Sequence, residues 1–144
     1  MCIRDRLEAV VEVDVADWLG GTALTIAVEK GHFDIVKMLL EAGVEVNLAD
    51  GEGRTALNMA SWNGHVDIVK MLLEAGSDVN VTDFDGGTSL YWAAVRGYVD
   101  IVKMLLEAWA EVNVADLRGR TALYMAVEEG HGDIVKMLRE AGGI

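Results

Sequence analysis

The sequence predicts a mainly α solenoid, built from stacked helix-turn-helix units with short β-hairpin tips. Two observations predict it. Gly31, Gly64, Gly97 and Gly130 recur at a constant period of 33 residues, and DIVKML follows each of them closely, at 34–39, 67–72, 100–105 and 133–138. Upstream, TALTIA (22–27), TALNMA (55–60), TSLYWA (88–93) and TALYMA (121–126) keep the same period. A fixed period of this size marks an array in which each unit buries its apolar face only against its neighbours.

Each unit reads as two short helices and a turn. Thr22, Thr55, Thr88 and Thr121 suit an N-cap, because a threonine hydroxyl accepts a bond from an otherwise unpaired backbone N–H. The first helix then runs about two turns and stops near the GH or GY pair. The second starts near the repeated aspartate, whose charge favours the positive helix end. Within it Ile35, Val36, Met38, Leu39 and Leu40 are apolar at helical spacing, and Lys37 is placed for weak surface pairs with Asp34 and Glu41. Next, DWLG (17–20), DGEG (50–53), DFDG (83–86) and DLRG (116–119) put aspartate first and glycine fourth, the pattern of a type I turn. Short extended flanks such as VEVNLAD complete the expected hairpin tip.

Helix, turn, helix and hairpin in this order resemble the ankyrin repeat, whose known pattern includes T-P-L-H-x-A. The resemblance covers nearly the whole chain. Two departures stand out. The family proline is Ala23, Ala56, Ser89 or Ala122 here, and the family histidine is Thr25, Asn58, Tyr91 or Tyr124. Each lost hydrogen bond is expected to cost about 0.5–1.5 kcal/mol.

One domain is expected over 1–144, with a partial N-terminal repeat or leader at 1–16, complete repeats at 17–49, 50–82 and 83–115, and a C-terminal capping repeat at 116–144. Leu40, Leu73 and Leu106 give way to Arg139 in the last copy, as a solvent-facing cap requires. At the other end Asp5 and Arg6 fall where other copies have methionine and leucine, which reads as a polar cap or as a fragment with an unrelated leader. The chain is therefore expected to be a monomer that can associate through an incompletely capped N-terminal end.

With 24 acidic and 12 basic residues the formal charge is −12, so phosphate backbones would be repelled and nucleic acid is excluded as a partner. Cys2 is the only cysteine, which rules out a disulfide within the chain and fits an intracellular, cytoplasmic setting. No apolar stretch approaches membrane-spanning length.

Motifs that could carry chemistry are weak. GEGRTA (51–56) matches a dinucleotide fingerprint, but that motif needs a parallel strand before it and a long helix after it. His32, His65 and His131 recur at the same place in three units; stacked helices lie about 8–10 Å apart, whereas zinc needs nitrogens at about 2 Å. They are expected to bond near the helix junction, with no metal. The Met38, Met71, Met104 and Met137 stripe reads as core packing, with no cofactor. No G-x-S-x-G surrounds Ser61, Ser77 or Ser89, and the carboxylates recur on every unit, whereas an active site should appear once. An enzyme or nucleotide-binding domain is the minor alternative.

Positions that change between copies are free of the packing constraint. They cluster at the turn centres (Trp18-Leu19, Gly51-Glu52, Phe84-Asp85, Leu117-Arg118), just after the turn glycines (Arg54, Arg120) and at the first-helix ends (Trp62-Asn63, Val95-Arg96). In the family these positions line a concave surface that grips protein partners. The resemblance therefore implies a non-catalytic scaffold binding a protein through Trp18, Leu19, Arg54, Trp62, Phe84, Arg96, Leu117 and Arg120. Aromatic residues and arginine are the types enriched at interface hot spots. The alternative is an architectural piece of a longer array with no ligand of its own. Trp109 stands where Gly43, Gly76 and Gly142 close the other second helices. If it keeps the left-handed conformation usual there, it should cost about 1–2 kcal/mol. It is read as a tolerated irregularity or as a second contact site.

Overall fold

The computed structural model describes residues 23–144. Thr22, Trp18, Leu19 and all of the partial unit at 1–16 lie outside the described residues. Eight helices among them come in four pairs: α1 (Ala23–Glu29) with α2 (Phe33–Glu41), α3 (Ala56–Asn63) with α4 (Val66–Glu74), α5 (Ser89–Arg96) with α6 (Val99–Glu107), and α7 (Ala122–Glu128) with α8 (Gly132–Glu140). First helices stack on first helices and second helices on second helices, so the array has two layers.

The expected caps form. Thr55, Thr88 and Thr121 accept the backbone N–H of Asn58, Tyr91 and Tyr124. Thr55 and Asn58 complete a reciprocal capping box. The first helices are hemmed in on several sides, and every residue from Ala56 to Ser61 is buried. The second helices bury one stripe only, as in Ile68, Val69 and Leu72 of α4. Leu72, Leu105 and Leu138 are fully buried, each stabilising by about 1.5–3 kcal/mol relative to exposure. Met71, Met104 and Met137 pack half-buried against this core. Met38 departs from the stripe and is 54% exposed. Lys37 forms neither expected pair among the described residues, in keeping with the small energy of exposed ion pairs.

The helix junctions explain the recurrent ring. His65, Tyr98 and His131 lie over Gly31, Gly64 and Gly97 of the preceding unit, so close that a Cβ there would meet the ring at 3.0, 2.8 and 2.7 Å. His131 Nε2 also lies 3.1 Å from the Val95 carbonyl. His65 and His131 thus pack between units, and among the described residues no group of three or more His, Cys, Asp or Glu side chains is placed to hold a metal ion.

The tips differ from the expectation in one respect. Each closes like a hairpin: the Asp50 N–H donates to the Arg54 carbonyl (2.9 Å) and the Gly53 N–H to the Asp50 carbonyl (3.0 Å), with equivalent bonds at 83–87 and 116–120. Gly53 and Gly86 have φ of 78° and 84°, giving a type I turn followed by a left-handed glycine. Yet no strand extends from the tips among the described residues. The flanks are held another way: the side-chain oxygens of Asn47, Asn80 and Asn113 accept the N–H of Asp78, Glu111 and Ile144 at 2.8, 2.8 and 3.1 Å. Side chains thus satisfy backbone groups that a ladder would otherwise pair. Backbone bonds also join adjacent tips, from Phe84 N–H to the Glu52 carbonyl (3.0 Å) and from Leu117 N–H to the Asp85 carbonyl (3.2 Å).

Candidate functional site

The first aspartate of each tip organises the surface around it. One carboxylate oxygen accepts two backbone N–H groups of its own turn: Glu52 and Arg54 on Asp50, Asp85 and Gly87 on Asp83, Arg118 and Arg120 on Asp116, all at 2.8–3.0 Å. The other oxygen takes a different donor in each unit. On Asp50 it is Arg54 Nε (2.9 Å), and on Asp116 it is Arg120 Nε (2.8 Å) together with the Tyr91 hydroxyl (2.6 Å). On Asp83, where glycine follows the turn, it is the indole N–H of Trp92 at 2.7 Å. A Cβ on Gly87 would lie 2.5 Å from that nitrogen, so the indole can sit there only because residue 87 has no side chain.

These bonds set the electrostatics. Burial opposes ionisation of Asp116, but the bonds from Tyr91, the Arg120 and Arg118 N–H groups and the Arg120 guanidinium outweigh it, holding the carboxyl well below the usual range. Burial, and then the bond to that carboxylate, push the Tyr91 hydroxyl up to about 12.

Trp92 then anchors an aromatic chain. It meets Tyr91 and Trp62 edge to face, with centroids 4.8 and 4.9 Å away. The Arg96 guanidinium lies over Trp62, 4.6 Å from its centroid, and 5.9 Å from the ring of Tyr98. Between the 50–54 and 83–87 tips opens a cleft of about 240 Å³, bordered by Glu52, Arg54, Trp62, Asp83, Asp85 and Trp92. A neighbouring cleft contains Leu117, Arg118 and Arg120, and Asp85 and Trp92 border both.

Of the residues singled out from the sequence, Arg54, Trp62 and Arg96 come together here. Arg54 and Arg120 are tied into their own turns by Asp50 and Asp116. Phe84 and Leu117 project from their tips, 69% and 77% exposed. Trp109, 88% exposed, closes α6 and borders neither cleft. Trp18 and Leu19 lie outside the described residues.

A family model for ankyrin repeats (3 copies) matches residues 5–83 and 75–144. The chain belongs to the ankyrin-repeat family. Comparison with curated proteins finds no match. Ankyrin repeats are in general protein–protein interaction modules. No helix among the described residues is long and apolar enough to cross a membrane.

Two features of this ankyrin array correct or extend the sequence reading. The replacements at the family histidine are expected to lose hydrogen bonds, but two of them make bonds of their own. The Asn58 amide donates to Ser89 Oγ (2.9 Å) and Tyr91 to Asp116, and both bonds cross to the next unit. Sequence reasoning does not single out Trp92, although it replaces the Ile26, Met59 or Met125 of other copies just as Gly87 replaces arginine. That double change is the available signal, blurred because Gly21 occurs beside Ile26.

Proposed function

We propose that this ankyrin-repeat protein is a non-catalytic scaffold that binds a protein partner through its hairpin tips and first-helix ends. The observation that carries the reading is that large apolar groups are held outward on a hydrogen-bonded frame. Phe84 and Leu117 project from tips whose aspartates and backbone groups are already paired. Exposed apolar residues on a rigid support suit recognition, because little ordering entropy is lost on binding. Arg96 and Trp62 supply a stacked cationic and aromatic anchor beside them. The single cysteine, Cys2, fits a reducing intracellular setting.

Capture from a lysate of the source cell tests the reading, with wild type beside a folded Phe84→Ala/Leu117→Ala variant. A protein retained by wild type should be lost from the variant, since hot-spot truncations typically cost about 2 kcal/mol or more each. Equal recovery would move the surface elsewhere, with Trp109 next to be replaced.

A further inference from the structure

The cleft between the 50–54 and 83–87 tips narrows the chemistry of the partner, on the footing of the binding surface proposed above. Its border carries three carboxylates, Glu52, Asp83 and Asp85, against one base, Arg54. Arg54 is already matched by Asp50, with Nη2 2.9 Å from its carboxylate, and reaches Glu52 only at 3.6 Å. Asp83 is surrounded by three N–H donors, none of which carries charge. The exposed Asp85 carboxylate has no hydrogen bond or ion pair among the described residues. The cleft therefore has surplus negative charge, and the neighbouring cleft, with Arg118 and Arg120, does not.

Its walls add a second, independent preference. Trp62 and Trp92 present indole surface to the cleft, and aromatic rings attract cations. Arg96 lies over Trp62 without bordering the cleft, and Arg54, which does border it, is turned to Asp50. A planar guanidinium can stack on an indole while donating to a carboxylate in its own plane, which a lysine ammonium cannot do. Within this chain Arg96 makes the first contact and Arg54 the second.

The geometry points to a receptor for one arginine side chain of the protein partner, with its guanidinium set against Trp62 and Trp92 and paired with Glu52 and Asp85. Asp83 fixes the Trp92 indole, and the equivalent positions of the other units hold Ile26, Met59 and Met125.

N-acetyl-arginine amide is the probe, read by the indole N–H resonances of nitrogen-15-labelled protein. Trp62 and Trp92 should shift saturably, with Trp109 as the internal control that does not. The neutral isostere N-acetyl-citrulline amide should leave them in place, and Glu52→Gln/Asp85→Asn should weaken arginine binding roughly tenfold, about the worth of one charge-assisted hydrogen bond. An absent saturable shift, an equal response to citrulline, or undiminished binding by the variant overturns the arginine receptor. If Phe84 and Leu117 still govern capture of a partner in that case, the binding surface stands and only the arginine assignment falls.

Discussion

The hairpin tips and the turns that close the second helices both depend on left-handed residues, but for different reasons. At the tips, a Cβ on Gly53 would meet the Phe84 ring at 2.6 Å, and one on Gly86 would meet the Asp116 Cα at 2.9 Å. These two tips are pressed against the next unit, whereas a Cβ on Gly119 in the last tip would meet nothing within 4 Å. At the second-helix closures a Cβ on Gly43 or Gly76 would meet nothing within 4 Å. There the backbone alone favours glycine. Trp109 shows what this allows: it has a φ of 65°, the one positive value outside glycine among the described residues, and its side chain stands in solvent. Its N–H still donates to the Leu106 carbonyl (3.0 Å), as the Gly43 and Gly76 N–H groups do to Leu40 and Leu73 (both 3.1 Å). The helix does not run on: it ends at Glu107, as its counterparts end at Glu41 and Glu74. An array can carry its bulkiest residue in a strained conformation where the only cost is local.

Single substitutions can break this contrast between tips and closures. The largest effect is expected from Gly86→Ala, where left-handed strain of about 1–2 kcal/mol adds to displacement of a neighbouring backbone costing about 1–3 kcal/mol. Gly76→Ala, with a similar φ of 88° and open space, should show only the first part. Urea unfolding of the two variants gives the difference directly, and equal losses would mean that the tips are not tightly packed.

A smaller effect tests the polar fastening of the tips. Tyr91→Phe removes a buried bond to a carboxylate and should cost about 1–2 kcal/mol. It also changes the pH response. The Tyr91 hydroxyl rises from its ordinary 10.0 to about 12 in the folded chain, so its contribution is complete below pH 10 and is lost as pH climbs through 12. Asp116 is shifted the other way: its contribution is present above the ordinary carboxylate range and disappears as acid protonates the folded form. Wild type should therefore lose stability across the alkaline window more steeply than Tyr91→Phe, as thermal midpoints measured from pH 9 to 12 would show.

The smallest effect belongs to the open closures. Trp109→Gly should stabilise the chain by about 1 kcal/mol, the relief of left-handed strain less the greater entropy glycine gives the unfolded chain. An unchanged or lowered unfolding midpoint would mean that the indole makes a stabilising contact that its exposure conceals.

Much of the array was legible from repetition. The helix pairs, the threonine caps and the tip turns follow from local rules, since caps and turns depend on residues within four of one another in the chain, whereas the conformation of Trp109 stayed open until the structure gave its φ of 65°. Phe84 and Leu117 were legible as candidates because the turn centres they occupy change from copy to copy. Strands were overestimated, because alternating flanks do not reveal that Asn47, Asn80 and Asn113 will take their hydrogen bonds.

What repetition could not reveal lies between units. The sequence by itself determined the period, the layers and the residues free to vary, because those depend on one unit seen repeatedly. Only the tertiary structure decided that the Asp83 carboxylate holds the Trp92 indole, that Tyr91 reaches Asp116 across a unit boundary, and that Trp109 has empty space around it. Partners such as Tyr91 and Asp116, 25 residues apart, are brought together by stacking. A local pattern can state which conformation a residue favours, but the stacked neighbour decides what that conformation meets.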